Sequence, residues 1–470
     1  LGAEQAAKLL PIDPFHELVV PDGLHLDGID QRIVAGINTT TAAIKVPLAD
    51  HAISTHRRPH APREAHRAER NAYDSPDIGS NNWTVSGRLT NTGKPILASD
   101  PHRPVTLPSL RYLVHLNCPP RGADRGWNVI GGTEPTLPGV ALGHNDHIAW
   151  GMTIVGTDQM DIYVEDIHPD DPTRYRVGDD WRPMQVESET IRVRGEAQPR
   201  DVELKFTRHG PVIFEDRERH RAYALRWTGS EPGTAGYLAA LSVDRATNWQ
   251  EFLEAANRWK IPGLNLVYAD RDGHIGWIAA ALTPVRRGWD GLLPVPGAAD
   301  KFEWDGFLPT AELPLRFDPS EGYIATANHN ILTPGYRQQI SYEWAAPFRF
   351  GRIDEVFRQQ VQSGHKFSIE DSERLQHDAT SIPARRLLAV LRGITVDDPE
   401  LRPNVDLLLH WDSVLARDSS AAALYAVWQS KLGERVLKPR VPEKLWASYS
   451  ARLPLQVALD LIEHPDSSFG

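Results

Sequence analysis

The pattern of apolar and polar positions changes near residue 80. Before it, short mixed segments are interrupted by Pro11, Pro14 and Pro21, and residues 51–79 are rich in Arg and His with almost no large apolar side chains. After it, short stretches with alternating apolar and polar residues follow one another, separated by Gly, Asn and Asp. Because such alternation is typical of half-buried strands, we expect an exposed linker over 51–79 and a sheet-forming region after it.

Turn residues make two of the strand predictions specific. Residues 83–99 indicate a strand, a turn at Gly93 and a second strand, and residues 264–280 indicate a hairpin with Asp272-Gly273 in a tight turn. Further strands are predicted in "GWNVIGG", "GVALGHNDHIAWGMTIV", "MDIYVEDI", "DVELKFTRHGPVIF" and "AYALRW".

Helical periodicity occurs between these strands and mostly after them. Thr247 and Gln250 predict a capping box at the start of one helix. Pro383 and Gly393 predict the beginning and end of a second helix, and Gly433 predicts the end of a third. Many strands followed by helices favour a layered α+β fold over a parallel array of βαβ units.

The composition excludes several classes of protein. The 470 residues allow two or three domains or one large layered domain. The net charge of −11 argues against a polyanion-binding protein and against a polybasic membrane anchor. No apolar run approaches the roughly 20 residues that span a bilayer. Cys118 is the single cysteine, which excludes internal disulfides and a thiolate metal cluster.

The chain carries none of the common local catalytic signatures. It has no G-x-S-x-G, H-E-x-x-H, P-loop or G-x-G-x-x-G sequence. A Ser-His-Asp site stays open, because its members meet only in space and the chain has 19 His residues.

The dipeptide Gly79-Ser80, at the junction between linker and strands, suggests another route to catalysis. A serine hydroxyl is a weak nucleophile without a neighbouring base. Cleavage before Ser80 would expose an α-amino group, whose pKa of roughly 7.7–8.0 suits a base near neutral pH. Gly79 has no side chain to block attack by Ser80 Oγ on the preceding carbonyl. By itself, however, the dipeptide favours a plain turn between loop and strand.

A set of motifs is spread over about residues 75–430. In chain order it includes "GSNNWTVSG", "GKPILASDPH", "LPGVALGHNDHIAWGMT", "RHGPVI", "GYIATANHN" and "FRFGRIDEVF". In content and order, these motifs resemble those of the penicillin acylase family of N-terminal-nucleophile hydrolases. The resemblance implies a four-layer αββα fold with antiparallel sheets, incomplete at both ends. It also implies a precursor that cuts itself before Ser80. Residues 1–50 would end the α part, 51–79 would be a spacer, and 80–470 would be a partial β part.

The same resemblance implies roles for individual residues. Ser80 would be the nucleophile, and the backbone N–H of Ile154 and the side chain of Asn328 would hold the oxyanion. His102 in "DPH" would hydrogen-bond the amine or Ser80, and Arg349 in "FRF" would hold Asn328 and the substrate. The alternatives are that Asn328 caps a turn, that His102 is a structural histidine and that Arg349 is a surface arginine.

Pocket and metal positions are implied in the same way. Leu142, Met152 and Leu264, with the neighbouring Asn265, would line the acyl pocket, and their aliphatic character favours an aliphatic acyl chain over a phenylacetyl group. A structural calcium ion would be bound by three residues, since carboxylate and backbone oxygens suit this hard cation. These are the carboxylates of Asp158 and Asp161 and the carbonyl of Met160. A solvated acidic turn is the alternative.

The implied activity is hydrolysis of the linear amide of N-acyl compounds, such as penicillins or N-acyl-homoserine lactones, through an acyl-enzyme on Ser80. The expected partners are a small-molecule N-acyl amide and the α and β pieces of one precursor, with no nucleic acid and no membrane span. The resemblance also implies a periplasmic or secreted location. Two alternatives stay open: an inactive binding module that keeps the fold, and a Ser-His-Asp hydrolase that needs no chain cleavage.

Overall fold

The computed structural model describes residues 2–41, 79–103, 109–135, 137–451 and 453–465. The predicted linker therefore lies outside the described residues, except for Gly79. Within these ranges, no helix combines the length and the apolar character that crossing a bilayer requires.

Strands dominate the chain from residue 79 to residue 326. In chain order they are β1 (Gly79–Val85), β2 (Ile96–His102), β3 (Tyr112–Cys118), β4 (Trp127–Thr133), β5 (Leu142–Asn145), β6 (Ile148–Ile154), β7 (Met160–His168), β8 (Asp171–Val177), β9 (Asp180–Pro183), β10 (Gln185–Ile191), β11 (Arg200–Thr207), β12 (Gly210–Asp216), β13 (Arg221–Trp227), β14 (Leu264–Asp270), β15 (Ile275–Ala280), β16 (Pro284–Arg286), β17 (Val295–Pro296), β18 (Trp304–Phe307), β19 (Leu315–Phe317) and β20 (Tyr323–Thr326).

Helices lie at the start of the chain, between β13 and β14, and after β20. In chain order they are α1 (Ala3–Leu9), α2 (Gln31–Thr41), α3 (Ala240–Val243), α4 (Trp249–Ala256), α5 (Phe348–Ser363), α6 (Ile369–Gln376), α7 (Ile382–Arg392), α8 (Arg402–Leu409), α9 (Ser420–Leu437), α10 (Glu443–Ser450) and α11 (Leu455–Glu463).

Two antiparallel sheets form the centre of the fold. β1 lies between β2 and β20 in one sheet, and the other has the order β19-β15-β14-β6-β5-β4-β3. The sheets face each other across a buried apolar layer that includes Val267, Trp277 and Ile324. A further sheet has the order β10-β11-β12-β13-β7-β8-β9, with β17 parallel to β7.

Helices cover the outer faces of both central sheets. On the smaller sheet, Trp83 and Tyr323 pack against Phe357 of α5. On the larger sheet, Trp150 and Tyr268 belong to one buried cluster with Phe252 of α4 and residues of α3. The layers therefore follow the order helix, sheet, sheet, helix, which confirms the predicted αββα arrangement.

Local turn and capping chemistry was predicted with mixed success. The hairpin of β14 and β15 is confirmed: Gly273 has φ +113°, and Asp270 Oδ1 accepts the backbone N–H groups of the turn. The capping box at α4 was wrong by one residue. Asn248 is the N-cap, and its side chain accepts from the Glu251 N–H at 3.0 Å. Thr247 instead hydrogen-bonds to the Glu251 carboxylate.

Two glycines with the same sequence signature have different roles. Gly393 caps α7 as predicted, and Pro383 lies in the first turn of that helix. The predicted end at Gly433 was wrong, because α9 continues to Leu437. A Cβ at Gly433 would lie 2.8 Å from Leu453 Cδ2, so this glycine permits a close tertiary contact.

Candidate active site

β1 places Ser80 on the buried face of the smaller central sheet, where its exposure is 1%. The backbone N–H of Ser80 donates to Asn328 Oδ1 at 2.8 Å. The hydroxyl donates to the carbonyl oxygen of Gly79 at 2.5 Å. The hydroxyl therefore lies against the peptide bond whose cleavage is predicted, and the nitrogen that would become the α-amine already has a partner.

Asn328 follows β20 and adopts a left-handed backbone with φ +62°. Asparagine tolerates this conformation better than most residues with a side chain. Besides accepting from Ser80, Oδ1 accepts from Arg349 Nη2 at 2.9 Å, while Nδ2 donates to the carbonyl oxygen of Ile154 at 2.7 Å. This single amide thus connects Ser80, Arg349 and Ile154.

Arg349 lies in the first turn of α5 and points back to the start of β1. Its Nη1 donates to the carbonyl of Ser80 at 2.8 Å and to Asn81 Oδ1 at 2.7 Å. Burial lowers the pKa of Arg349 from its usual range, while the charge of Asp100 opposes that shift. A Cβ at Gly79 would lie 2.8 Å from Arg349 Nη2. A larger residue at position 79 would therefore push this guanidinium away from its present place.

Ile154 ends β6 opposite Leu264 of β14. Its carbonyl oxygen accepts from Asn328 Nδ2, and also from Asn265 Nδ2 at 3.4 Å. The structure thus brings together four of the residues proposed from the sequence: Ser80, Ile154, Asn328 and Arg349. Their catalytic roles stay predictions.

His102 lies opposite Gly79 in the pairing of β1 with β2. Its Nε2 is 3.0 Å from Asp100 Oδ2 and 3.4 Å from Asn81 Nδ2. Among the contacts of the described residues, none joins His102 to Ser80. In the antiparallel pairing the residue directly opposite His102 is Gly79 and not Ser80. His102 therefore contacts the site through Asn81, which hydrogen-bonds to Arg349.

The predicted pocket residues occupy two different surroundings. Leu142, Met152 and Leu264 pack in the cluster between the larger central sheet and α4, with Met152 and Leu264 buried. Asn265 is fully buried in the interface between the two central sheets, where it hydrogen-bonds Thr153 and Trp277. That the three aliphatic residues line an acyl pocket stays a prediction.

The carboxylates predicted to bind calcium form ion pairs with an arginine. Arg286 Nε lies 2.8 Å from Asp161 Oδ2, and Arg286 Nη2 lies 3.1 Å from Asp158 Oδ2. Trp304 Nε1 also donates to Asp161 Oδ2, at 2.6 Å. Burial raises the pKa of Asp158 above its usual range, and the charge of Arg286 opposes this shift.

A calcium ion between these carboxylates would have to displace the guanidinium. Asp161 Oδ1 is buried and has no hydrogen-bond partner among the described residues, so one oxygen is available. In the part of the chain that the structure describes, no three acidic, histidine or cysteine side chains are grouped to hold a metal ion. As placed, Asp158, Met160 and Asp161 do not fit calcium.

His329, the residue after Asn328, is a part of the site that the sequence did not indicate. Its ring stacks on Phe350, the residue after Arg349, with centroids 3.6 Å apart and planes 10° from parallel. The N–H of Ala327 donates to its Nδ1 at 3.4 Å. Burial, with a further contribution from the Arg349 charge, lowers the pKa of His329 to about 4. A neutral imidazole therefore lies beside the buried guanidinium.

We expect His329 to make the protein less stable as the pH falls from about 6.5 to about 4. In this window the unfolded chain binds a proton at His329 while the folded chain does not, a difference of about 3 kcal/mol when complete. Urea unfolding of wild type and His329→Asn at pH 5 and pH 7.5 measures it. The variant should lose part of the pH dependence. Equal pH dependence in wild type and His329→Asn would contradict this expectation.

Comparisons with known proteins agree on one family. The penicillin amidase family model matches residues 1–469. The chain is 31% identical over 438 residues to the penicillin acylase 2 proenzyme of Pseudomonas sp. strain SE83, covering 92% of this chain and 52% of that protein. It is 30% identical over 422 residues to the acyl-homoserine lactone acylase QuiP of Pseudomonas aeruginosa, covering 83% and 48%.

A solved structure shows the same fold. The thermostable penicillin G acylase from Alcaligenes faecalis matches with a TM-score of 0.71 and 28% identity, covering 83% of this chain and 74% of that chain. The chain spans about half the length of the curated relatives that it matches.

Proposed function

Because the chain belongs to the penicillin amidase family, we propose that it carries the active site of an amide hydrolase that cuts itself before Ser80. The observation that carries the proposal is the amide of Asn328. It holds the Ser80 nitrogen, the Arg349 guanidinium and the Ile154 carbonyl at 2.7 to 2.9 Å. Such convergence around one serine is what acyl transfer requires.

The first reaction is cleavage of the chain. Ser80 Oγ attacks the carbonyl carbon of Gly79, the bond from that carbon to the Ser80 nitrogen breaks, and the proton of the hydroxyl passes to that nitrogen. Water then hydrolyses the resulting ester and releases Ser80 with a free α-amine. In the uncut chain the hydroxyl already lies 2.5 Å from the Gly79 oxygen, and Asn328 Oδ1 accepts from the nitrogen that cleavage would release.

The second reaction is hydrolysis of the substrate amide. The α-amine removes the proton from Ser80 Oγ, which attacks the substrate carbonyl and forms an acyl-enzyme that water hydrolyses. Arg349 donates a hydrogen bond to the Ser80 carbonyl, and its positive charge favours the neutral form of the nearby α-amine. The neutral form is the one that can act as a base. Asn328 Nδ2 carries two protons. One can keep its hydrogen bond to the Ile154 carbonyl, while the other donates to the oxyanion together with the Ile154 N–H.

The substrate is an N-acyl compound, with penicillins and N-acyl-homoserine lactones as the candidates. Two relatives, an acyl-homoserine lactone acylase and a penicillin acylase, support these classes, and the name proenzyme of the second supports a precursor. We propose the division into 1–50, 51–79 and 80–470 on the same basis. The periplasmic or secreted location rests on the family resemblance alone.

Mass spectrometry of the purified full-length protein tests this function. We expect a polypeptide that begins with Ser80, and hydrolysis of 4-nitroanilides of straight-chain fatty acids in preference to the phenylacetyl anilide. Penicillins and N-acyl-homoserine lactones complete the panel. An uncut chain that is inert on all of them would favour a binding module. Activity from an uncut chain would favour a Ser-His-Asp hydrolase.

A further inference from the structure

A chain of hydrogen-bonded polar side chains crosses the interface between the two central sheets. Trp277 Nε1 donates to Asn265 Oδ1 at 3.0 Å, and Asn265 Nδ2 donates to Thr153 Oγ1 at 3.0 Å. Thr153 and Thr326 share a hydrogen bond of 2.6 Å, and Thr326 Oγ1 donates to Asn82 Oδ1 at 2.6 Å. We call these five residues the polar chain.

The polar chain has one direction of hydrogen-bond donation. The Thr326 hydroxyl gives its single proton to Asn82, so it must accept from Thr153, which in turn accepts from Asn265. Each of the two hydroxyls therefore donates once and accepts once. Hydrogen bonds aligned in this way polarise and strengthen one another.

Because these side chains are buried, a change in their hydrogen bonding costs free energy. Each of the five side chains is in a residue exposed by 3% or less, beside apolar residues such as Val267 and Ile324. A buried hydroxyl or amide that loses its partner costs about 1–3 kcal/mol. A small shift of one strand along another would leave several of these groups without partners. The polar chain therefore fixes the two sheets relative to each other.

Three strands joined by the polar chain also carry the active-site groups. On β1, Asn82 follows Ser80 by two residues and faces the same buried side. On β6, Thr153 directly precedes Ile154, and Thr326 of β20 precedes Asn328 by two residues. The bond between the two threonines therefore joins the strand of the Ile154 N–H to the strand that leads to Asn328.

We propose that Thr153 and Thr326 are positioning residues that set the separation of the two oxyanion donors, Ile154 N–H and Asn328 Nδ2, and that Asn265 and Trp277 hold them in place. This inference rests on the proposed function of those donors. A displacement of about 1 Å at a reacting centre can reduce the rate about a hundredfold. Neither threonine is assigned a contact with the substrate, so the loss should appear in kcat more than in KM.

Thr326→Val tests the proposal, because valine keeps the shape of threonine and removes only the hydroxyl. In the full-length protein, with 4-nitroanilides of fatty acids as substrates, we expect kcat per Ser80 N-terminus to fall about 10- to 100-fold. KM should stay within about twofold. Thr326→Ser, which keeps the hydroxyl, should recover most of kcat.

Thr84→Val is the matched control. Thr84 lies on β1, is fully buried on the same side as Asn82, and its hydroxyl has no partner among the residues described. Its replacement should leave kcat unchanged, since no hydrogen bond is lost. If Thr326→Val does not fold, Trp277→Phe removes the donor at the far end of the polar chain and should lower kcat several-fold.

The possible outcomes separate this inference from the proposed function. An uncut, inert wild type would overturn both. An active wild type with unchanged kcat in Thr326→Val, or in Trp277→Phe where that variant replaces it, would overturn the positioning role alone. So would a Thr326→Ser enzyme as slow as Thr326→Val, because packing of the methyl group would then explain the loss.

Discussion

Replacing Ser80 with alanine is expected to leave the Gly79–Ser80 bond intact and to abolish amide hydrolysis. The variant loses the only hydroxyl that lies against the Gly79 carbonyl in the described structure. Without cleavage there is no α-amine to act as the base, so both steps fail together. Loss of the nucleophile in a serine hydrolase reduces kcat by about a millionfold. Intact mass and hydrolysis of fatty acyl 4-nitroanilides measure the two effects.

Two variants control for nonspecific effects at this position. Ser80→Cys keeps a nucleophile and should still be cut, at a different rate. Ser86→Ala removes a buried hydroxyl just after β1 that has no hydrogen-bond partner in the described ranges, and it should be cut and active. If Ser80→Ala were cut before residue 80, another group would have to perform the cleavage. If the uncut variant hydrolysed amides, Ser80 would not be the nucleophile.

Replacing Asn328 with glycine is expected to lower kcat by about 10² to 10³, the effect of removing one oxyanion donor. The substitution also removes three hydrogen bonds of the Asn328 side chain, to the Ser80 nitrogen, the Arg349 guanidinium and the Ile154 carbonyl. Glycine accepts the φ of +62° without strain, whereas alanine would add a backbone cost. Since cleavage can also slow, kcat should be measured per Ser80 N-terminus, alongside thermal unfolding.

Asn328→Asp separates the anchoring role from the donor role. Aspartate keeps the acceptors for Ser80 and Arg349 but cannot donate to an oxyanion. We therefore expect a folded enzyme whose kcat is at least as low as that of the glycine variant. Wild-type kcat in the aspartate variant would contradict an oxyanion role for Asn328.

Local chemistry accounts for the features that the sequence predicted well. Asp272-Gly273 produces its hairpin because the turn needs a positive φ and a nearby acceptor, and both come from residues within the turn. Gly433 shows the limit of such reasoning. Its small size serves a contact with Leu453, and no local signal distinguishes that use from a helix cap.

The sequence likewise predicted only some features of the candidate active site. The motifs around Ser80, Ile154, Asn328 and Arg349 identified the residues that meet, although they are up to 269 positions apart. Family motifs carry information about residues and not about register. They therefore did not reveal that antiparallel pairing sets His102 opposite Gly79.

The sequence by itself determined the alternation that makes strands, the glycine before Ser80 and the motifs that identify the family. Only the tertiary structure decided what surrounds each of these residues. Arg286 lies 125 positions from Asp161 and fills the place expected for calcium, and the polar chain joins five separate strands. The physical reason is that a buried charge or hydroxyl must find its partner in space. Sheet packing determines that partner, and spacing along the chain does not.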